Sequence, residues 1–150
     1  MNIIELVRKI LTDYPKMEEF TNKIHIDFTD NTQETDFGLS SSGDAMVKED
    51  ILGNQIRKHS FVLYGINQAF SDYDRLANST FLLELSHWLE MIEPEQYEIE
   101  ETINNSIYTG TLQSIECANA MMFQVPTGDL NDGVMYQIQI YAKYTLQRKE

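Results

Sequence analysis

The sequence predicts an α+β domain, an antiparallel or mixed sheet of about six to seven strands with two helices packed on one face. Three observations predict it. Apolar residues recur at helical spacing near the N-terminus and again in the middle of the chain. The last third alternates with period two, most clearly from Val134 to Leu146. And 150 residues, 42% of them hydrophobic, are enough for one core and too few for two ordinary ones. Residues 1–150 are therefore read as a single domain with a projecting loop or hairpin at about 30–57.

Over residues 2–11, Ile3, Leu6, Val7 and Ile10 mark one helical face, broadened by Ile4 and Leu11. Tyr14-Pro15 stops that helix, since the residue before a proline avoids helical geometry. From Lys23 to Thr29, Ile24, Ile26 and Phe28 alternate with His25, Asp27 and Thr29, as in a half-buried strand. Asp30 to about Ala45 is polar and rich in Ser, Thr and Gly, and reads as a connection. Gly53-Asn54 suits a two-residue II′ turn, which would set Leu52 opposite Gln55, Asp50 opposite Arg57 and Glu49 opposite Lys58. The second arm continues into Phe61-Val62-Leu63-Tyr64-Gly65-Ile66, apolar on both faces like a strand covered on two sides.

Ser71 with Asp74 three residues on resembles a capping box, and a helix is expected from Asp72 to about Met91. Tyr73, Leu76, Ala77, Phe81, Leu85, Trp88, Leu89 and Ile92 mark its buried face, and Glu93-Pro94 ends it. Strands follow at Tyr97–Ile103, Ile107–Ile115 and Ala118–Val125, the last closed by Pro126-Thr127-Gly128-Asp129. In the final strand Val134, Tyr136, Ile138, Ile140, Ala142, Tyr144 and Leu146 share one face, and mostly polar residues share the other. Such strict alternation excludes a helix.

Several stretches have the letters of a chemical site without its chemistry. Asp36-Phe37-Gly38 lacks the other motifs of a kinase, which 150 residues could not accommodate. Gly38 and Gly43 have the spacing of a P-loop, but Asp44 and Ala45 stand where Lys and Ser/Thr must meet phosphate and magnesium. From Asp129, a calcium loop would need glutamate where Ile140 stands. His25, His59 and His87 form no ligand-spaced motif, and one cysteine, Cys117, offers neither a disulfide nor a Cys-x-x-Cys zinc site. No enzyme, metal site or cofactor is expected.

With 24 acidic and 11 basic residues the formal charge is −13, which disfavours tight, sequence-blind binding to nucleic acid. No run approaches the roughly 18 to 20 apolar residues of a membrane helix, and MNIIELVRKI does not read as a signal peptide. A cytoplasmic site of synthesis is expected. What a plain core leaves unexplained is residues 29–57, where isolated apolar side chains stand among charges. Phe37, Leu39, Met46, Val47, Lys48, Glu49, Asp50, Ile51, Leu52, Arg57 and Lys58 are the expected contacts of an assembly arm docking on a neighbouring chain.

The stretches HIDFTDNT, FGLSSSGDAMVKEDILGNQIRKHSFVLYGINQAFSDYDRL, FLLELSHWLE and ANAMMFQVPTGDLNDGVMYQIQIYAKYTL resemble the minor capsid proteins of Gram-positive siphophages and prophages, often encoded just before the major tail protein. Proteins in that position resemble the lambda-type tail terminators. The resemblance implies a small α+β subunit of a hexameric ring that caps the tail tube and docks to the head connector or stopper protein. It also implies a virion location, assembly in the host cytoplasm, and DNA that passes through the lumen without tight binding. No membrane, cofactor or catalytic residue is implied. The alternative is another head–tail joining protein or a non-enzymatic soluble binding module without a ring.

Overall fold

The computed structural model describes residues 1–15, 24–26, 35–67, 72–124 and 134–149. Helix α1 spans Ile3–Thr12 and is capped by Asn2, whose side chain accepts from the Glu5 N–H at 2.9 Å. Its apolar stripe of Ile3, Leu6, Val7, Ile10 and Leu11 is buried as the spacing predicts. Tyr14 follows in the core, its ring centroid 5.7 Å from Phe81 and 5.2 Å from Trp88, tying the end of α1 to the second helix. That helix, α2, spans Asp72–Met91 and buries Phe81, Leu82, Leu85 and Leu89, with Trp88 and Ile92 packed at the margin. The side chains of Tyr73, Leu76 and Ala77, and the Ser71 cap, lie outside the described residues.

The strands are β1 (Ile24–Ile26), β2 (Thr35–Glu49), β3 (Gln55–Asn67), β4 (Glu98–Ile103), β5 (Ser106–Gln124) and β6 (Val134–Arg148), in the sheet order β1-β2-β3-β6-β5-β4. The five strands β2 to β6 are antiparallel to their neighbours, and the short β1 joins β2 in parallel. The fold is thus α+β with two helices, as expected. Buried residues of β3 and β6 face each other in register: Phe61 opposite Ile140, Leu63 opposite Ile138, His59 opposite Ala142. With Leu39, Ile99, Leu112 and the helix stripes they make one core. Each fully buried aliphatic contributes about 1.5–3 kcal/mol.

Four expectations are corrected. The antiparallel sheet has five strands, β2 to β6, somewhat fewer than the six to seven expected, and the three-residue β1 is added to it in parallel. The strands expected at Ile107–Ile115 and Ala118–Val125 are, as far as Gln124, one strand, β5, whose register slips at Leu112/Ser114, Ala118/Met121 and Met122/Gln124, and Val125 lies outside the described residues. Each slip sets an extra residue of β5 against its partner strand, and at the first it reverses which parity faces the core, so one bulged strand reads as two. The polar connection up to Ala45 is from Thr35 onward β2, flanked by β1 only at Phe37–Leu39, and its Ser and Gly positions hide the alternation. The remainder of that connection and the turn at Pro126–Asp129 lie outside the described residues. Val62 and Tyr64, read as the second covered face of β3, are only half-buried, because both helices join the core on the other side.

The hairpin is present but its register differs from the one the charges predicted. Glu49 faces Gln55, Lys48 faces Ile56, Met46 faces Arg57 and Ala45 faces Lys58, so neither Asp50–Arg57 nor Glu49–Lys58 is a cross-strand pair. The turn is wider than Gly53-Asn54. The Asp50 N–H donates to Asn54 O at 3.0 Å, and the Asp50 carboxylate accepts from the Leu52 and Asn54 N–H groups at 2.9 and 3.0 Å and from Asn54 Nδ2 at 3.0 Å. Those bonds, the Asn54 N–H first, hold the Asp50 carboxyl below its ordinary range, helped by Lys48. Gly53 supplies the positive φ of 84° that the turn needs.

Candidate assembly surface

The outer end of the β2–β3 hairpin carries four large apolar side chains in solvent. Ile51 is 101% and Leu52 80% exposed at the tip, with Met46 at 50% and Val47 at 54% along the arm. Ser41 to Asp50 are exposed without a break. Exposed apolar groups grouped on one projection mark an interaction surface, whereas scattered ones need no explanation. Seven of the expected contact residues, Met46 to Leu52, are therefore together on the arm.

The other four are placed differently. Leu39 is 1% exposed and belongs to the core, because the inward parity of β2 puts it opposite Leu63. This corrects its assignment to a docking surface. Phe37 lies at the base of β2, opposite Gly65 and Ile24, and its side chain is outside the described residues. Arg57 is half-buried and bound to Asp44, not offered to a partner. Lys58 is exposed on the opposite face, with its ammonium 4.6 Å from the centroid of Tyr141.

What holds the arm is a polar cluster that sequence reading missed. Asp44 Oδ1 accepts from Arg57 Nε at 2.6 Å, and Asp44 Oδ2 accepts from His59 Nδ1 at 2.8 Å and from the Tyr144 hydroxyl at 2.6 Å. A carboxylate only accepts, so His59 Nδ1 carries the proton, and in the neutral ring Nε2 then accepts from the Ser41 hydroxyl. Arg57 also donates to Gln55 Oε1 at 2.9 Å. The cluster pins β2 across β3 to β6. Burial pushes the Asp44 carboxyl up, but the bonds from Tyr144, His59 and Arg57 outweigh it and hold the group below its ordinary range. Burial and the Asp44 bond raise the Tyr144 phenol well above its usual value, so it stays a donor.

A pH prediction follows from the lowered Asp44 pKa. An acid depressed on folding stabilises above its unfolded pKa, near 4, and its contribution disappears as pH falls through the lower folded value. Asp44→Asn is expected to cost about 1 kcal/mol at neutral pH, a figure reduced by the partial exposure of the cluster. Urea unfolding of both proteins at pH 7 and near pH 2.5 checks this. The difference should shrink at the lower pH, and a constant difference would mean that the charge is not what matters.

Ser41, His59 and Asp44 also stand in the order of a hydrolytic triad. Catalysis needs more than that order. A substrate cavity must open on the nucleophile, and donors must meet the oxyanion. The cavity of about 460 Å³ beside the cluster is lined by Asp44, Arg57, His59, Tyr144 and the first residues of α1, and Ser41 does not line it. The arrangement suits a structural pin better than a nucleophile. Incubation with a fluorophosphonate probe is therefore expected to leave Ser41 unlabelled. Labelling that disappears in Ser41→Ala would make the chain a serine hydrolase.

Cys117 is half-buried, and burial together with the Glu90 charge pushes its thiol up to about 12, far from a reactive thiolate. Among the described residues no group of three His, Cys, Asp or Glu side chains could hold a metal ion, and no helix is long and apolar enough to cross a membrane. Compared with protein-family models and with curated proteins, the chain matches none.

Proposed function

We propose that this protein is a structural subunit of a phage or prophage head–tail junction, a tail terminator whose ring caps the tail tube and docks to the head connector. The observation that carries the reading is the arm, a pinned hairpin that presents Met46, Val47, Ile51 and Leu52 to solvent. A rigid root with an apolar tip is what a subunit needs to reach a neighbour at little entropic cost. The likeness of the sequence to siphophage minor capsid proteins supports the reading, as does an α+β fold with two helices. A charge of −13 suits a lumen through which DNA must slide without adhering.

The test is to mix the purified chain with the major tail protein encoded beside it and to image the product by negative-stain microscopy. Tubes of bounded length, each closed by a ring, are the expected result. Uncapped tubes with folded chain left in solution would overturn the terminator role in favour of another joining protein or a binding module.

A further inference from the structure

The geometry points to a particular subunit contact. The open edge of β2 in one copy pairs with edge strand β4 of a second copy, so that the sheet runs on from subunit to subunit. This rests on the ring reading above and specifies the surfaces that would close the ring. The sheet ends at two different edges. At one, β1 covers only Phe37–Leu39 of β2, and among the described residues no strand pairs with the outer side of Ser41–Glu49. At the other, among the described residues β4 pairs with β5 alone, and the bond there that an incoming strand would displace is that from the Glu100 N–H to Met1 O at 2.9 Å. Such edges are rows of donors and acceptors that template another strand.

Direction and chemistry both fit. β2 to β3, β3 to β6, β6 to β5 and β5 to β4 are all antiparallel steps, so β2 and β4 run the same way. A copy related by rotation about an axis along the strands then presents β4 parallel to β2. β1 already pairs with β2 in parallel, so β4 of the next copy would continue the ladder where β1 stops.

The faces also agree. Lys48 stands opposite Ile56, and Ile56 opposite Thr145, on the side away from the helices. Glu98 and Glu100 are on that same side, opposite Thr111, which binds Thr145 Oγ1, and Thr109, which faces Gln147. On the helix side, Met46, opposite Arg57, would meet the face of Ile99 and the exposed Ile103.

Charge separates this pairing from the alternatives. The acids of the arm are already engaged, Asp44 by its three donors, Glu49 by Gln55 Nε2 at 3.0 Å and Asp50 by its own turn. Lys48, Glu98 and Glu100 form no ion pair among the described residues. Joining β4 to β4 would set glutamate against glutamate, whereas β2 to β4 sets lysine against glutamate. A contact between unlike edges closes into a ring when its rotation closes.

Lys48→Glu and Glu100→Lys are each expected to weaken assembly roughly three- to tenfold, and the two together to recover it to within about twofold. Assembly is read by native mass spectrometry of the chain alone and by capping of tail tubes. In a Cys117→Ser background, Lys48→Cys combined with Glu100→Cys should give covalent multimers on oxidation, and neither cysteine alone should. Rings or caps that form with neither charge rescue nor cross-linking would overturn this contact and leave the ring standing. A chain that stays monomeric and caps no tube would overturn the ring reading, and this contact with it.

Discussion

Gly110→Ala is expected to abolish most of the cooperative unfolding transition. A β-carbon there would fall inside the radius of the Thr145 carbonyl oxygen and 2.5 Å from the carbonyl carbon. The obstacle is backbone, which cannot rotate aside as a side chain would. At this place β5 and β6 leave the regular ladder. Thr109 pairs with Gln147 and Leu112 with Tyr144, while between them Thr145 Oγ1 accepts from the Thr111 N–H at 3.0 Å. Moving β6 away would disturb Tyr144 and Leu146, both fully buried. Overpacking relieved by side-chain movement costs about 1–3 kcal/mol, and a backbone clash belongs at or above the top of that range. Total stabilities are only about 5–15 kcal/mol. Urea denaturation followed by circular dichroism measures the loss. An unchanged midpoint would mean that the two strands do not approach here. Thr145→Val, which replaces the hydroxyl by a methyl group, should cost about 1 kcal/mol and serves as the comparison.

The legible parts of the fold were those where one local period decides the outcome. The α1 stripe and the inner face of β6 from Tyr136 to Leu146 are buried as read, because each lies against the core and nothing interrupts its period. β5 resisted the same reading for a physical reason. Leu112 and Ile115 are both buried although three residues apart, which period two forbids unless a bulge intervenes, and a bulge sits between Leu112 and Ser114. β2 resisted because an exposed edge strand buries few side chains, so from Ser41 to Glu49 no core face writes itself into the sequence.

At the site, the arm was found through its misplaced apolar residues, and its root was not found at all. Asp44 is bound by groups 13, 15 and 100 residues away, a separation no local pattern records. The opposite charges at Asp50 and Arg57 were a real signal with the wrong partner. Arg57 does bind an aspartate of β2, but Asp44, since Asp50 is occupied by its own turn. One hint was available: Tyr144 and His59 are polar atoms on otherwise apolar faces, and such atoms need a partner inside the protein.

The second large effect belongs to the tip. Replacing Ile51 and Leu52 together by serine is expected to abolish tube capping and leave the fold as stable as before. Both side chains are almost wholly in solvent, so their loss removes no packing from the monomer, and surface changes of this kind stay within about 0.5 kcal/mol. In an interface that buries them, each would contribute about 1.5–3 kcal/mol, and together they would weaken binding by roughly two to four orders of magnitude. Asp50, Gly53 and Asn54 should be left intact, because they shape the turn and their loss would confuse a lost contact with a lost conformation. Leu39→Ala supplies the contrasting case. It lies on the same strand but in the core, and should lower stability by about 2–5 kcal/mol. Thermal unfolding and capping of tail tubes, measured on both variants, separate the two roles of β2. Capping that survives the tip substitutions would remove the arm from assembly. A lowered unfolding temperature in the tip variant would mean instead that Ile51 and Leu52 pack on their own chain.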